Sequence, residues 1–212
     1  MPRHIDPKTW HRRDQFEFFM QFDQPFFGLC TEVRITRLRE VIKHSGNPFF
    51  LSLLHAALTA AHQVPAFRQR LEGDQVIEHD RVHTAVTVPG NNDNFRFCWL
   101  DYDPDFQVFQ KAGRVCMEKA SQATGPLEPH AARTDVIHVS SLPRIKFTGL
   151  SHPRRSETHD SIPKLVFGRF FSQGDEILLP LSIDVHHALA DGIHVAHFLE
   201  SYQAVLDQPS SY

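Results

Sequence analysis

"ILLPLSIDVHHALADG", from Ile177 to Gly192, decides how the rest of the chain is read. The run from Ile177 to His187 has the length and apolar content of a long strand, and successive strand residues point to opposite faces. Leu179, Leu181, Ile183, Val185 and His187 then share one apolar face, while Ser182, Asp184 and His186 lie on the other. His187 closes a buried row where the strand breaks into a turn, and sheet proteins commonly place reactive groups at strand ends. Gly192 permits a tight entry into "GIHVAHFLESYQAVLD". There Ile193, Ala196, Leu199, Tyr202 and Leu206 recur at helical spacing. An imidazole so placed is a candidate proton acceptor at neutral pH. Asp191 is available to orient it, or to anchor the turn to a cation elsewhere.

Two plainer readings compete. With 15 histidines in 212 residues, a buried His held by hydrogen bonds in the core needs no function at all. A metal set of His187, Asp191, His194 and His197 has to be weighed too, because His at i and i+3 share a helix face. Zinc hydrolases with paired helix histidines, however, space them at i and i+4 with a Glu between. Here the adjacent histidines point apart, so no metal is expected.

Composition narrows the classes. The net charge of -3 and the lack of any long basic run give no footprint for nucleic acid. "HRR" at His11 to Arg13 and "HPRR" at His152 to Arg155 are short and local. No stretch approaches the roughly 18 apolar residues of a membrane helix, and the polar opening lacks a signal peptide's apolar core. Cys30, Cys98 and Cys116 show no CxxC spacing and read as reduced core thiols of a cytoplasmic protein, without a disulfide. No repeat or Gly/Ser-rich linker divides residues 1–212, which predicts a single domain.

Along the chain, "CTEVRIT" alternates as a strand, and "TRLREVIKHSG" reads as a helix opened by Thr36 and closed by Gly46. "PFFLSLLHAALTAAHQVP" is a buried helix bounded by Pro48 and Pro65. Strands with a loop tip at Gly90 to Asp93 follow, then an amphipathic helix in "DFQVFQKAGRVCMEKASQA". Further strands are read in "DVIHVSSLP" and "KLVFGRFF", the latter joined near "SQGDE" to the run that opens this section. This irregular alternation predicts an α/β (α+β) two-layer sandwich with a mixed β-sheet.

The His-His-x-x-x-Asp-Gly pattern resembles that of the CoA-dependent acyltransferase superfamily. Three stretches narrow the likeness to chloramphenicol acetyltransferases. "WHRRDQFEFF" (Trp10 to Phe19) resembles their opening segment, "SSLPRIKFTG" a central one, and "QGDEILLPLSIDVHHALADGIHVAHFLESYQ" their C-terminal strand and helix. The resemblance runs from Trp10 to about Leu206. It implies a homotrimer with active sites between subunits, no bound cofactor, and transfer of acetyl from acetyl-CoA as co-substrate to a hydroxyl of a small acceptor. It makes His187 the general base and assigns Asp191, paired with Arg12, to structural support. It puts Phe18, Phe19, Phe27 and Val166 at the acceptor pocket, Thr148 and Gly149 at the oxyanion region, and Arg169 and Phe170 against CoA.

This chain departs from that pattern in telling places. Gly149 stands where the family has an oxyanion-binding Ser; Thr148 has the wrong strand parity, and Ser151 lies about 6–7 Å further along. Phe19 replaces a Tyr, Val166 a Thr, and Pro48 a Lys that often meets a CoA phosphate. An acetyltransferase whose acceptor is chloramphenicol or another small hydrophobic alcohol is expected. The alternative is a weakened family member that binds CoA or a hydrophobic ligand without efficient turnover.

Overall fold

The computed structural model describes residues 2–73, 75–125, 127, 133–153, 160–209 and 212. Arg154 and Arg155 of the "HPRR" cluster lie outside the described residues. The first half of the chain forms β1 (Arg3–Ile5), α1 (Arg13–Phe19), β2 (Phe26–Arg34), α2 (Thr36–Ser45), α3 (Phe49–Gln63), α4 (Pro65–Arg68), β3 (Gln69–Glu72) and β4 (Gln75–Glu78). The second half forms β5 (His83–Pro89), β6 (Phe95–Leu100), α5 (Phe106–Gln122), β7 (Val136–Ser141), β8 (Lys164–Phe167), β9 (Phe171–Gln173), β10 (Glu176–His186) and α6 (Gly192–Asp207).

The main sheet runs β2-β10-β8-β7-β5-β6, with β9 paired to the start of β10. The β5–β7 and β7–β8 pairs are parallel and the others antiparallel, so the sheet is mixed, as the sequence predicts. Leu179, Leu181, Ile183 and Val185 of β10 join one core with residues of α2, α3, α5 and α6. That arrangement is the two-layer sandwich. α3 is apolar nearly all round and accordingly buried along most of its length. Gly113 of α5 lets that helix lie close, since a Cβ there would stand 2.7 Å from Leu51 Cδ2.

A smaller sheet, β1-β4-β3, was not anticipated. With α1 it encloses a second cluster, in which Trp10, Phe16, Leu71 and Val76 pack against Ala188 and Leu189. The turn after His187 is therefore seated on its own apolar floor. The reading of three reduced cysteines is corrected: Cys98 of β6 and Cys116 of α5 form a disulfide, with Cα atoms 6.2 Å apart, and Cys30 alone is free. Their spacing matches no motif; they meet because α5 packs back on β6. Cysteine usage thus carries no argument for a cytoplasmic location. Among the described residues, no helix is long and apolar enough to cross a membrane.

Three histidines are hydrogen-bonded inside the fold. His62 Nε2 accepts from Val82 N–H at 3.1 Å while Nδ1 lies 2.7 Å from Leu58 O, and His83 Nδ1 accepts from Tyr102 N–H at 2.9 Å. His55 bridges Tyr212 Oη and Asp103 O. Burial lowers the pKa of all three, the charged form being the one that loses water. The unfolded chain then binds more protons below a His pKa of about 6.5, so stability is full above that pH and declines below it, toward the folded values. We predict a fall in unfolding free energy between about pH 7 and pH 5, and a shallower fall in His62→Gln. Denaturant titrations at each pH check this; equal slopes in the two proteins would contradict it.

Candidate active site

β10 ends at His186, and the next backbone N–H, that of His187, donates to Pro25 O at 2.7 Å. Pro25 precedes β2, whose Phe27 faces Val185 in the ladder. That bond fixes where the imidazole stands. Its ring stacks on Phe19 at 3.8 Å between centroids and 10° between planes, and meets Phe27 at 5.3 Å. Phe18 packs edge-on against Phe19 and is 55% exposed, so one side of this aromatic group is open. His187 Nδ1 is sealed from solvent without a hydrogen-bond partner, which leaves Nε2 as the ring nitrogen that a ligand can reach.

The adjacent His186 is buried at 4% exposure, edge-on to Phe26, and its Nδ1 accepts from Ala188 N–H at 3.3 Å. The two histidines diverge, as strand parity requires.

Asp191 caps α6 by accepting from Ile193 N–H at 3.2 Å. Its other carboxylate oxygen accepts from Arg12 Nη1 at 2.8 Å, across 179 positions of sequence. His194 Nδ1 lies 2.8 Å from Asp191 Oδ1 and accepts from Asp191 N–H at 3.2 Å, which closes a capping box. Burial opposes ionisation of Asp191, but Arg12 and His194 outweigh it and take the pKa down to about 2. Burial and the Arg12 charge lower the pKa of His194, so its ring is neutral. His194 thus completes the turn as a hydrogen-bond partner. Among the described residues, no three His, Cys, Asp or Glu side chains are grouped to hold a metal.

The remaining residues singled out from the sequence lie elsewhere along the sheet. Val166 pairs with Ser182, four positions before His186, which is about 13 Å along the strand. Arg169 and Phe170 precede β9, whose Phe171 pairs with Leu178, about 27 Å from the His186 end. Thr148 and Gly149 are exposed and outside any strand. A Cβ at Gly149 would meet no other described atom within 4 Å. One chain therefore carries two separate groups: His187 with its phenylalanines at one end of β10, and a basic, aromatic group at the other. The bond from His187 to Pro25 and the seating of Ala188 and Leu189 left no signal in the sequence, being set by tertiary contact.

A family model described as chloramphenicol acetyltransferase matches residues 3–203. A chloramphenicol acetyltransferase of Streptomyces acrimycini is 30% identical over 99% of this chain and 96% of its own. Chloramphenicol acetyltransferase 2 of Escherichia coli is 28% identical, covering 96% of each chain. A solved chloramphenicol acetyltransferase superposes with a TM-score of 0.87 at 26% identity, covering 97% of this chain and 100% of that one. The dihydrolipoamide acetyltransferase of Azotobacter vinelandii shares the fold, with a TM-score of 0.67 at 18% identity and coverage of 94% and 88%.

Replacing Asp191 by Ala removes a helix cap and the partner of a largely buried guanidinium. Asp191→Ala is expected to cost about 2–3 kcal/mol, read as a lower denaturant midpoint at unchanged m value. The pH dependence has a defined sign, because the folded pKa is the lower one. The contribution of Asp191 is whole above about pH 4 and is lost as pH falls toward the folded value. At about pH 2 the wild type and the variant should converge in stability.

Proposed function

Since the chain belongs to the chloramphenicol acetyltransferase family and is an acyltransferase, we propose that it transfers acetyl from acetyl-CoA to a hydroxyl of chloramphenicol or another small hydrophobic acceptor. The observation that carries this reading is the setting of His187. Its ring is clamped by Phe19 and Phe27, its backbone is tied to Pro25, and its Nε2 is open. With the ring proton on Nδ1, Nε2 takes the acceptor's hydroxyl proton as that oxygen adds to the thioester carbonyl. A tetrahedral oxyanion forms. When it collapses, the C–S bond breaks and the sulfur leaves with the proton that Nε2 returns. The products are the acetyl ester and CoA-SH.

Arg12 and Asp191 are positioning residues in this scheme: they hold the turn that follows His187 and exchange no proton. Phe18, Phe19 and Phe27 offer the acceptor an apolar wall, with Phe19 lacking the hydroxyl that a Tyr would supply. Thr148 and Gly149 belong to the oxyanion region and Arg169 and Phe170 to the CoA side, with Val166 at the acceptor pocket. The separation of Val166, Arg169 and Phe170 from His187 within one chain supports completion of each site by a neighbouring copy in a homotrimer.

A second reading rests on Gly149, which removes a hydroxyl donor: a family member that binds acetyl-CoA and turns over poorly. Loss of one oxyanion donor costs about 10²–10³ in turnover, and loss of a general base about 10²–10⁴. Thiol release from acetyl-CoA with chloramphenicol, measured on wild type, His187→Ala and Gly149→Ser, separates the readings. His187→Ala should lose at least about 100-fold in kcat. Gly149→Ser finds open space for its side chain and should gain up to about 100-fold. Binding of acetyl-CoA with no turnover in wild type, and turnover in Gly149→Ser, would favour the weakened enzyme. Wild-type turnover indifferent to His187→Ala would remove the assigned base.

A further inference from the structure

The cap of α6 contains one nitrogen on which two neighbours make opposite demands. His194 Nδ1 accepts from Asp191 N–H at 3.2 Å, and to do so it must carry no proton. The same nitrogen stands 2.8 Å from Asp191 Oδ1, a carboxylate oxygen that can only accept and already takes the Ile193 N–H. With Nδ1 bare, lone pair faces lone pair. A proton on Nδ1 turns that contact into a charged hydrogen bond, but it deprives the Asp191 N–H of its acceptor. One proton thus exchanges a closed capping box for an ion pair.

The exchange is connected to His187. Asp191 Oδ2 binds Arg12 at 2.8 Å, Arg12 caps α1, and α1 carries Phe19 onto the imidazole of His187 at 3.8 Å. The charged and titratable groups facing His194 are Arg12 from the entry to α1, Asp191 from the turn, and His197 from the next turn of α6. Arg12 and His197 oppose a proton on His194, and Asp191 favours it. The His194 side chain keeps 21% exposure, so a proton has a route from solvent. Once cationic, His194 shares the carboxylate with Arg12 and repels it. We propose that His194 is a proton-operated latch on the turn after His187. Neutral, it closes the cap and keeps the imidazole clamped; protonated, it binds the carboxylate and loosens α1 from the turn. Burial and the Arg12 charge hold its pKa below the ordinary histidine value, so the latch is closed at neutral pH and opens in acid. Toward the reaction His194 is a positioning residue, and that part rests on His187 being the base of acetyl transfer.

NMR of the Asp191 amide proton in wild type, His194→Gln and His194→Ala, followed from about pH 8 to about pH 4, tests the latch. In wild type that proton should move upfield in one step centred below about pH 6.5, as its acceptor is lost. Gln at this helix position keeps an acceptor that does not titrate, so His194→Gln should hold the downfield position throughout. His194→Ala should show the upfield position at every pH. Turnover supplies the second readout. At neutral pH, His194→Ala should lose about 10- to 100-fold in kcat with the KM for acetyl-CoA unchanged, and His194→Gln should recover most of it. On the acid side, kcat/KM of wild type should fall more steeply than a single proton allows, and that of His194→Gln with one proton only. An amide step that survives in His194→Gln, or that is absent from wild type, would overturn the latch. So would a His194→Ala protein that is less stable yet keeps its kcat, the mark of a purely structural cap. If wild type releases no thiol from acetyl-CoA, the acetyl-transfer reading fails, and the amide step alone decides the latch.

Discussion

The contact on which the site depends is the ion pair between Arg12 and Asp191, separated by 2.8 Å in space and by 179 positions in sequence. β10 delivers His187 to the edge of the sandwich, but a strand end does not by itself fix a side chain. The turn after it is fixed because Asp191 is held from two directions. The first backbone N–H groups of α6 bind one carboxylate oxygen, and the guanidinium entering α1 binds the other. The same pair ties α1 to the turn, and α1 carries Phe19 onto the face of the imidazole. A single ionic contact thus couples the position of the histidine to the position of the ring that restrains it.

Its energetics favour retention over raw stability. Arg12 leaves Nε and Nη2 buried without partners, so the pair is bought with unsatisfied donors. Well-packed apolar residues in the same volume often stabilise a protein as much as a buried ion pair does. What they lack is direction. The carboxylate accepts along defined axes from Ile193 and Arg12, with His194 Nδ1 against the same residue, and those axes set the angle at which α6 departs.

Much of this was legible in the sequence. The period-two pattern of Leu179 to His187 gave both the strand and the side on which His187 stands, because strand parity is a local property. Thr36 and Gly46 bounded α2, and Pro48 and Pro65 bracketed α3, for similarly local reasons. Gly46 takes the left-handed conformation, φ 71°, that closes a helix. The pairing of Arg12 with Asp191 came from resemblance, since no local rule joins residues so far apart. The Cys98–Cys116 bond and the small sheet under the turn were invisible. Each depends on how separate elements pack.

The separation of the two groups along β10 bears on how far the site can drift without losing its chemistry. His187, its aromatic clamp and its ionic support belong to one end, and they depend on one another through β10, α1 and α6. Val166 sits about 13 Å back along β10, and Phe49, next to Pro48, meets Phe170 beyond the start of that strand. A change there leaves the Arg12–Asp191–His187 assembly mechanically untouched. The division lets one end of β10 change while the strand, the turn after His187 and the capped helix at the other end stay intact.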